Sequence, residues 1–300
     1  MLSKSSARTQ LHLSVILFGF TAILGKVIIL SALVLVWWRV FLACISMVFE
    51  IRRRKLSFNI DQRSKNIFWG IGIIIALHWI CFYGAVKLSN SSITLLCMAT
   101  TSFFTSLIEP AIFRKRIEPV DIIIGLIIIP VMAFIAKDIS GEYYLGALVG
   151  LLSALLAAVF SVLNKKNIER TSPMVMSFWQ LTGVLGFITV ILPFYFYQNP
   201  DALFFPPDVW NWLYMIILAI LCTTIAWVLT LQALKHVSAF ESTLVINLEP
   251  VYGIVLAAVL LQEYKQVGPG FYIGSTIIMI LVILYPQLKR KWSKSSPIPQ

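Results

Sequence analysis

Between residues 11 and 285 the chain is a succession of apolar segments, each close to the ~20 residues that a helix needs to cross a hydrocarbon core. Ten are read: 11–29, 33–51, 67–86, 93–113, 120–136, 145–163, 174–197, 209–231, 239–261 and 268–285. They use up nearly the whole length, so no soluble domain is left in which a catalytic site would sit. Composition agrees, with 59% hydrophobic and 12% charged residues, against about a quarter charged in an average soluble domain. The expectation is an all-α integral membrane protein. The first segment has the length of a full span and no small-residue cleavage site, so it is read as retained and not as a signal peptide.

The second constraint is internal repetition. AVKLSNSSITLL (Ala85 to Leu96) returns as ALKHVSAFESTL (Ala233 to Leu244), with Lys87 and Lys235 standing 148 residues apart. Gly125 and Gly274 stand 149 apart, so the register holds to the end of each half. Duplicated bundles of this kind build carriers from two pseudo-symmetric halves. The halves are read as five-helix repeats over 11–137 and 145–286.

Charge sets the expected orientation, because Lys and Arg near the spans are held on the cytoplasmic side. With the N-terminus inside, the inner loops carry 19 Lys and Arg and the outer segments four, with Arg39 left within the second span. Both termini are therefore expected in the cytoplasm. Five spans per half is an odd number, so the second repeat enters the membrane in the opposite sense to the first. Inverted repeats suit alternating access. The net charge of +11 is thus first a topological signal, with anionic lipid headgroups as secondary partners. No ordered basic face supports a nucleic-acid reading.

Motifs of soluble catalysis are missing. There is no P-loop, HExxH, GxSxG or metal-ligand cluster, and Gly268 and Gly270 lack the rest of a dinucleotide fingerprint. ATP-driven transport by this chain alone is disfavoured, and no cofactor or metal is expected. The cysteines Cys44, Cys81, Cys97 and Cys222 all fall inside spans without CxxC spacing, so they read as small buried hydrophobes.

The stretch from Ala233 to Leu284 resembles the last two helices of the EamA-type permeases of the drug/metabolite transporter superfamily. The matching landmarks are Lys235 in an Ala-Leu-Lys start, Glu249 before Pro250, Glu263 at the helix end and Gly274 in the final span. Gly19 to Ala43 is similar to the family's opening helix and its Arg-containing successor. The resemblance implies an inner-membrane permease for small metabolites, amino acids and related compounds first, with drugs, nucleosides and sugars behind. In the first half Arg114 stands where a helix-end Glu is expected, and the Glu109–Pro110 pair lies nearer the inner edge, so exact functional equivalence of the two halves is not expected.

Polar side chains within spans cost roughly 2.5 to 3.5 kcal/mol each when charged and central, so each needs a partner or a purpose. Glu249 falls near the midplane beside the helix-breaking Pro250. It is either a titratable carboxylate for a substrate ammonium or a proton, or a paired group supporting a kink. Arg39, after Trp37 and Trp38, either snorkels outward through an aromatic belt or faces a cavity and takes a carboxylate with its planar fork. His78 is a candidate proton carrier or hydrogen-bonded packing. Thr94, Thr101 and Thr105 share one helical face that lines a cavity or bonds to its own backbone. Gln180 and Asn247 are weaker candidates whose default is helix-to-helix hydrogen bonding. Gly146, Gly150, Ala154 and Ala158 recur every four residues and predict a ridge for close helix packing.

The function expected is secondary transport of small polar metabolites across the inner membrane, with possible coupling to protons. Two other classes stand beside it. A channel shares the bundle but shows no counterflow, and an enzyme on a lipid-linked substrate needs acidic or His residues clustered at one interface. Glu109, Glu118 and Asp121 do gather near the inner edge, but among Arg114, Lys115 and Arg116 they read as charge compensation. The expected partners are a small-molecule substrate and membrane lipids, with no nucleic acid.

Overall fold

The computed structural model describes residues 4–89, 91–135, 143–249, 252 and 269–295. Among these residues every regular element is helical: α1 (Lys4–Val27), α2 (Ala32–Arg53), α3 (Gln62–Leu88), α4 (Ser91–Ala99), α5 (Thr101–Phe113), α6 (Pro119–Ile135), α7 (Tyr144–Asn167), α8 (Pro173–Gln198), α9 (Val209–Ala219), a π-helical turn (Ile220–Ile225), α10 (Ala226–Leu234), α11 (Ala239–Ile246) and α12 (Pro269–Ser295). Among the described residues seven helical stretches are long and apolar enough to cross a membrane: Ser6–Val27, Ala32–Arg53, Gln62–Leu88, Ile93–Phe113, Tyr144–Asn167, Pro173–Gln198 and Val209–Leu234. Their outward faces are greasy, as lipid requires; Phe49, Val190 and Phe194 are about 70% exposed. Of the expected spans, 120–136 and 268–285 overlap α6 and α12. The segment 239–261 is described chiefly at its start, as α11, and the expected helix break at Pro250 lies outside the described residues.

Two helices depart from simple rods. The expected span 93–113 is interrupted at Thr100, whose N–H turns back to the Cys97 carbonyl at 3.0 Å and whose hydroxyl donates to the same oxygen at 2.7 Å. α11 likewise ends at Ile246, and Leu248 N–H bonds three residues back to Val245 O at 3.0 Å. Thr100 and Leu248 stand 148 residues apart.

The helix starts recur in the two halves, at spacings of 141 and 147 residues. Ser31 caps α2 by accepting from Val34 N–H, and Ser172 caps α8 by accepting from Val175 N–H. Asp61 caps α3 through Ser64 N–H, and Asp208 caps α9 through Asn211 N–H. Both capping carboxyls lie below the usual carboxylate range. The Ser64 hydroxyl and then its backbone N–H cause this at Asp61, and the Asn211 N–H and then its amide at Asp208. These caps stabilise above that range and are lost as acidification carries the pH down through the lowered folded values.

The π turn has a countable origin. Asp61 precedes Trp79 by 18 residues and Asp208 precedes Trp227 by 19. One extra residue lies between cap and tryptophan in the second case, and the π turn at 220–225 falls inside that interval. A π bulge is what a helix makes of a single inserted residue. The carbonyls it displaces are picked up by hydroxyls: Thr223 Oγ1 donates to Leu218 O at 2.7 Å and Thr224 Oγ1 to Ala219 O at 3.2 Å.

Packing brings α3 against α7 and α8, α1 against α10, and α2 against α8. Glycines permit the closest approaches. A Cβ on Gly72 of α3 would stand 2.3 Å from Gln180 O, and one on Gly183 of α8 would stand 2.9 Å from Trp69 Cα. The α7 ridge is buried at Gly146, Gly150, Ala154 and Ala158, with Gly146 against Ser89 and Gly150 against Cys97. Gly72→Ala is expected to destabilise by about 1–3 kcal/mol, since the obstacle is helix backbone. Gly70→Ala, with nothing within 4 Å of its Cβ, should be neutral or mildly stabilising. Thermal unfolding of the two variants in detergent checks the contrast; equal melting temperatures would contradict it.

Candidate functional site

A cavity of about 90 Å³, room for several waters, opens among α1, α2, α3, α4, α5, α7, α10 and α11. Its aromatic wall is built by contact between rings. Trp79 and Trp227, 148 residues apart, meet edge to face at 5.8 Å, and Phe160 packs on Trp227 at 5.5 Å and on His78 at 5.2 Å. Arg39, His78, Thr101 and Glu249 all line this space. Four of the eight polar residues singled out from the sequence are therefore brought to one place.

Arg39 does not snorkel; it is 3% exposed. Nε donates to Thr223 Oγ1 at 2.6 Å, one terminal nitrogen donates to the Tyr83 hydroxyl at 2.7 Å, and the other reaches Cys222 O at 3.4 Å. The π turn thus supplies two of its three partners, so the inserted residue makes the seat for this cation. The guanidinium also lies 4.3 Å from the Trp79 ring centroid, a desolvated cation–π contact. Three of its five N–H groups are used by the protein, which leaves two for a ligand.

Glu249 is 8% exposed and meets Thr21 Oγ1 at 3.3 Å. That hydroxyl also donates to Phe18 O at 2.6 Å. A hydroxyl has one proton, and the shorter bond uses it. The longer contact, in which Thr21 Oγ1 donates to Glu249 Oε1, therefore receives only a minor share of that proton.

His78 is fixed through one nitrogen. Nδ1 lies 2.9 Å from Ser153 O and 2.8 Å from Ser153 Oγ, while Ser153 Oγ donates its proton to His78 O at 3.0 Å. Both atoms facing Nδ1 therefore accept, so Nδ1 carries the proton and a neutral ring keeps Nε2 as an acceptor.

The threonine face divides because the helix breaks within it. Thr94 is buried on α4, Thr105 donates back to Thr101 O at 2.8 Å, and Thr101 lines the cavity with a buried hydroxyl that has no hydrogen-bond partner among the described residues. Asn247 is turned to α5, where it donates to Ser102 Oγ at 2.8 Å. Gln180 sits one layer behind the wall, between Asn164 (2.7 Å) and the Trp227 indole (3.4 Å). The gathered acids are also dispersed: Glu109 accepts Phe240 N–H at 2.7 Å and Ala239 N–H at 3.3 Å at the start of α11, and Asp121 accepts from Tyr285 at 3.2 Å.

Sequence reasoning missed Thr21, Tyr83, Ser161, Asn164 and the π-turn residues, which look like ordinary span residues. One signal pointed to the site: the 148-residue register pairs Trp79 with Trp227 and Thr101 with Glu249, and all four line the cavity.

Residues 144–285 match the model of the EamA-like transporter family. Over 304 residues the chain is 23% identical to "Uncharacterized transporter YxxF" of Bacillus subtilis (strain 168), covering 98% of this chain and 93% of that protein. A solved structure described only as "Crystal structure of protein" superposes with a TM-score of 0.74 at 17% identity, over 96% of this chain and 99% of its own. That likeness concerns the fold.

Proposed function

We propose that this EamA-type permease, a multi-pass membrane transporter, is a secondary carrier of small zwitterionic metabolites, amino acids and related compounds first. The observation that carries the reading is one aromatic-walled cavity lined by both a buried guanidinium and a buried carboxyl, Arg39 and Glu249. A ligand with a carboxylate and an ammonium complements both, and each charge-assisted hydrogen bond is roughly twice as strong as a neutral one. An apolar or singly charged ligand leaves one buried charge without its partner.

The reading includes ten helices in two inverted halves working by alternating access, in the inner membrane with both termini cytoplasmic. Support comes from the recurring caps, the interruptions at Thr100 and Leu248, and the way α1 with α10 repeats α3 with α7. Interrupted helices at corresponding places in two halves are where such carriers bind their cargo. Glu249 is the proton site of this mechanism. Its carboxyl lines the cavity, where it exchanges a proton for an incoming substrate ammonium.

Trp79 and Trp227 line the cavity, so their emission reports its occupancy. Leucine is expected to change it, whereas 3-methylbutylamine and 4-methylpentanoate, each lacking one charge, should do so at least tenfold more weakly. Trp227→Phe should remove part of the response. Equal potency of all three compounds would rule out zwitterion recognition.

A further inference from the structure

The cavity's two charged residues have uncharged counterparts, and those counterparts also converge on it. Counted from the caps Ser31 and Ser172, Arg39 and Gln180 occupy the same helical position. Thr21 and Ser161 occupy the same place counted back from the ends of α1 and α7, six residues before Val27 and Asn167. Glu249 corresponds to Thr101. One set thus reads Thr21, Arg39 and Glu249, and its counterpart reads Ser161, Gln180 and Thr101.

The uncharged set has a defined donor. Trp227 Nε1 only donates, so the Gln180 atom facing it at 3.4 Å is the oxygen. The Gln180 nitrogen then donates to Asn164 Oδ1 at 2.7 Å. This chain of donors leaves the Asn164 amide nitrogen without a partner among the described residues, and Asn164 lines the cavity while being 2% exposed. Ser161 lies one turn away on α7 and lines the same space. Thr101 adds a buried hydroxyl with no partner among the described residues. Asn164 is eleven residues from Ser153, the partner of His78, or about 16 Å along α7.

We propose that Thr101, Ser161 and Asn164 form a second subsite, which holds an uncharged oxygen acceptor on the substrate side chain, a carboxamide or a hydroxyl, with Gln180 as the positioning residue behind Asn164. The subsite has amide and hydroxyl groups only. The nearby Lys165 ammonium is engaged by the carbonyls of Leu234 at 2.7 Å and Lys235 at 3.4 Å. A side-chain carboxylate there is desolvated without a countercharge and is disfavoured. An apolar side chain leaves the Asn164 nitrogen and the Thr101 hydroxyl unpaired, the situation that gives hydrogen-bonding sites their selectivity.

This inference rests on the zwitterion reading above. Its test is trans-stimulated entry of labelled glutamine into proteoliposomes, competed by norleucine and by glutamate. Wild-type protein is expected to prefer glutamine over both by roughly fivefold to tenfold, the worth of one hydrogen bond at a buried site. Asn164→Leu should abolish the preference over norleucine while norleucine itself still enters. Gln180→Met, which touches no substrate, should lower the same ratio, and Ser161→Ala provides a milder third variant. Entry of both amino acids with ratios unchanged in folded Asn164→Leu or Gln180→Met overturns the subsite alone. No entry of either amino acid through wild-type protein overturns the parent reading and the subsite with it.

Discussion

Glu249→Gln is expected to give a folded protein whose transport no longer responds to a pH gradient and whose affinity for zwitterions falls about 10-fold to 100-fold. The first part follows from Thr21. Glutamine keeps the shape of the protonated acid and offers its amide N–H to Thr21 Oγ1, so the contact at 3.3 Å survives and the fold is kept. The amide cannot exchange a proton, which removes the coupling step. The second part follows from charge, since hydrogen bonds to charged groups contribute about 1.5–3 kcal/mol. Glu249→Asp keeps the titration but retracts the carboxyl, so it should retain pH dependence with weaker flux. An unchanged pH-dependent flux in Glu249→Gln would remove Glu249 from the mechanism.

Arg39→Leu is expected to be the most damaging single change to stability. It deletes hydrogen bonds to Thr223, Tyr83 and Cys222 and the stacking on Trp79, and it leaves the buried Tyr83 hydroxyl without this donor. Breaking buried charge networks of this kind costs about 3–5 kcal/mol, enough to lower the yield of folded protein several-fold. Arg39→Lys separates the two roles. A lysine keeps the charge but not the fork, so it should fold while losing more than tenfold in zwitterion affinity. Thermal unfolding in detergent together with the tryptophan response checks both; wild-type affinity in Arg39→Lys would show that the guanidinium contacts only the protein.

The bundle was legible because bilayer thickness writes itself into the chain as apolar segments of fixed length. The site was legible in part, and the reason differs by residue. Glu249, Arg39 and His78 stand out because charge and imidazole are rare in spans. Asn164 and Thr21 are chemically ordinary, and only their hydrogen-bond partners from distant helices give them meaning. The π turn was hidden for another reason: a single inserted residue leaves hydropathy unchanged, and it shows only when the Asp61–Trp79 and Asp208–Trp227 intervals are counted against each other. On the threonine stripe Thr101 lines the cavity and Thr105 bonds to its own backbone, the two roles the sequence left open, and the backbone turn at Thr100 that divides them leaves no mark on hydropathy.

Counterflow in proteoliposomes loaded with a mixed amino-acid pool, with and without a pH gradient, tests the central claim most directly. A carrier gives saturable entry of labelled amino acids that is stimulated by the trans pool and altered by the gradient. Entry that neither saturates nor responds to the trans pool, or no entry above empty vesicles from folded protein, would contradict it.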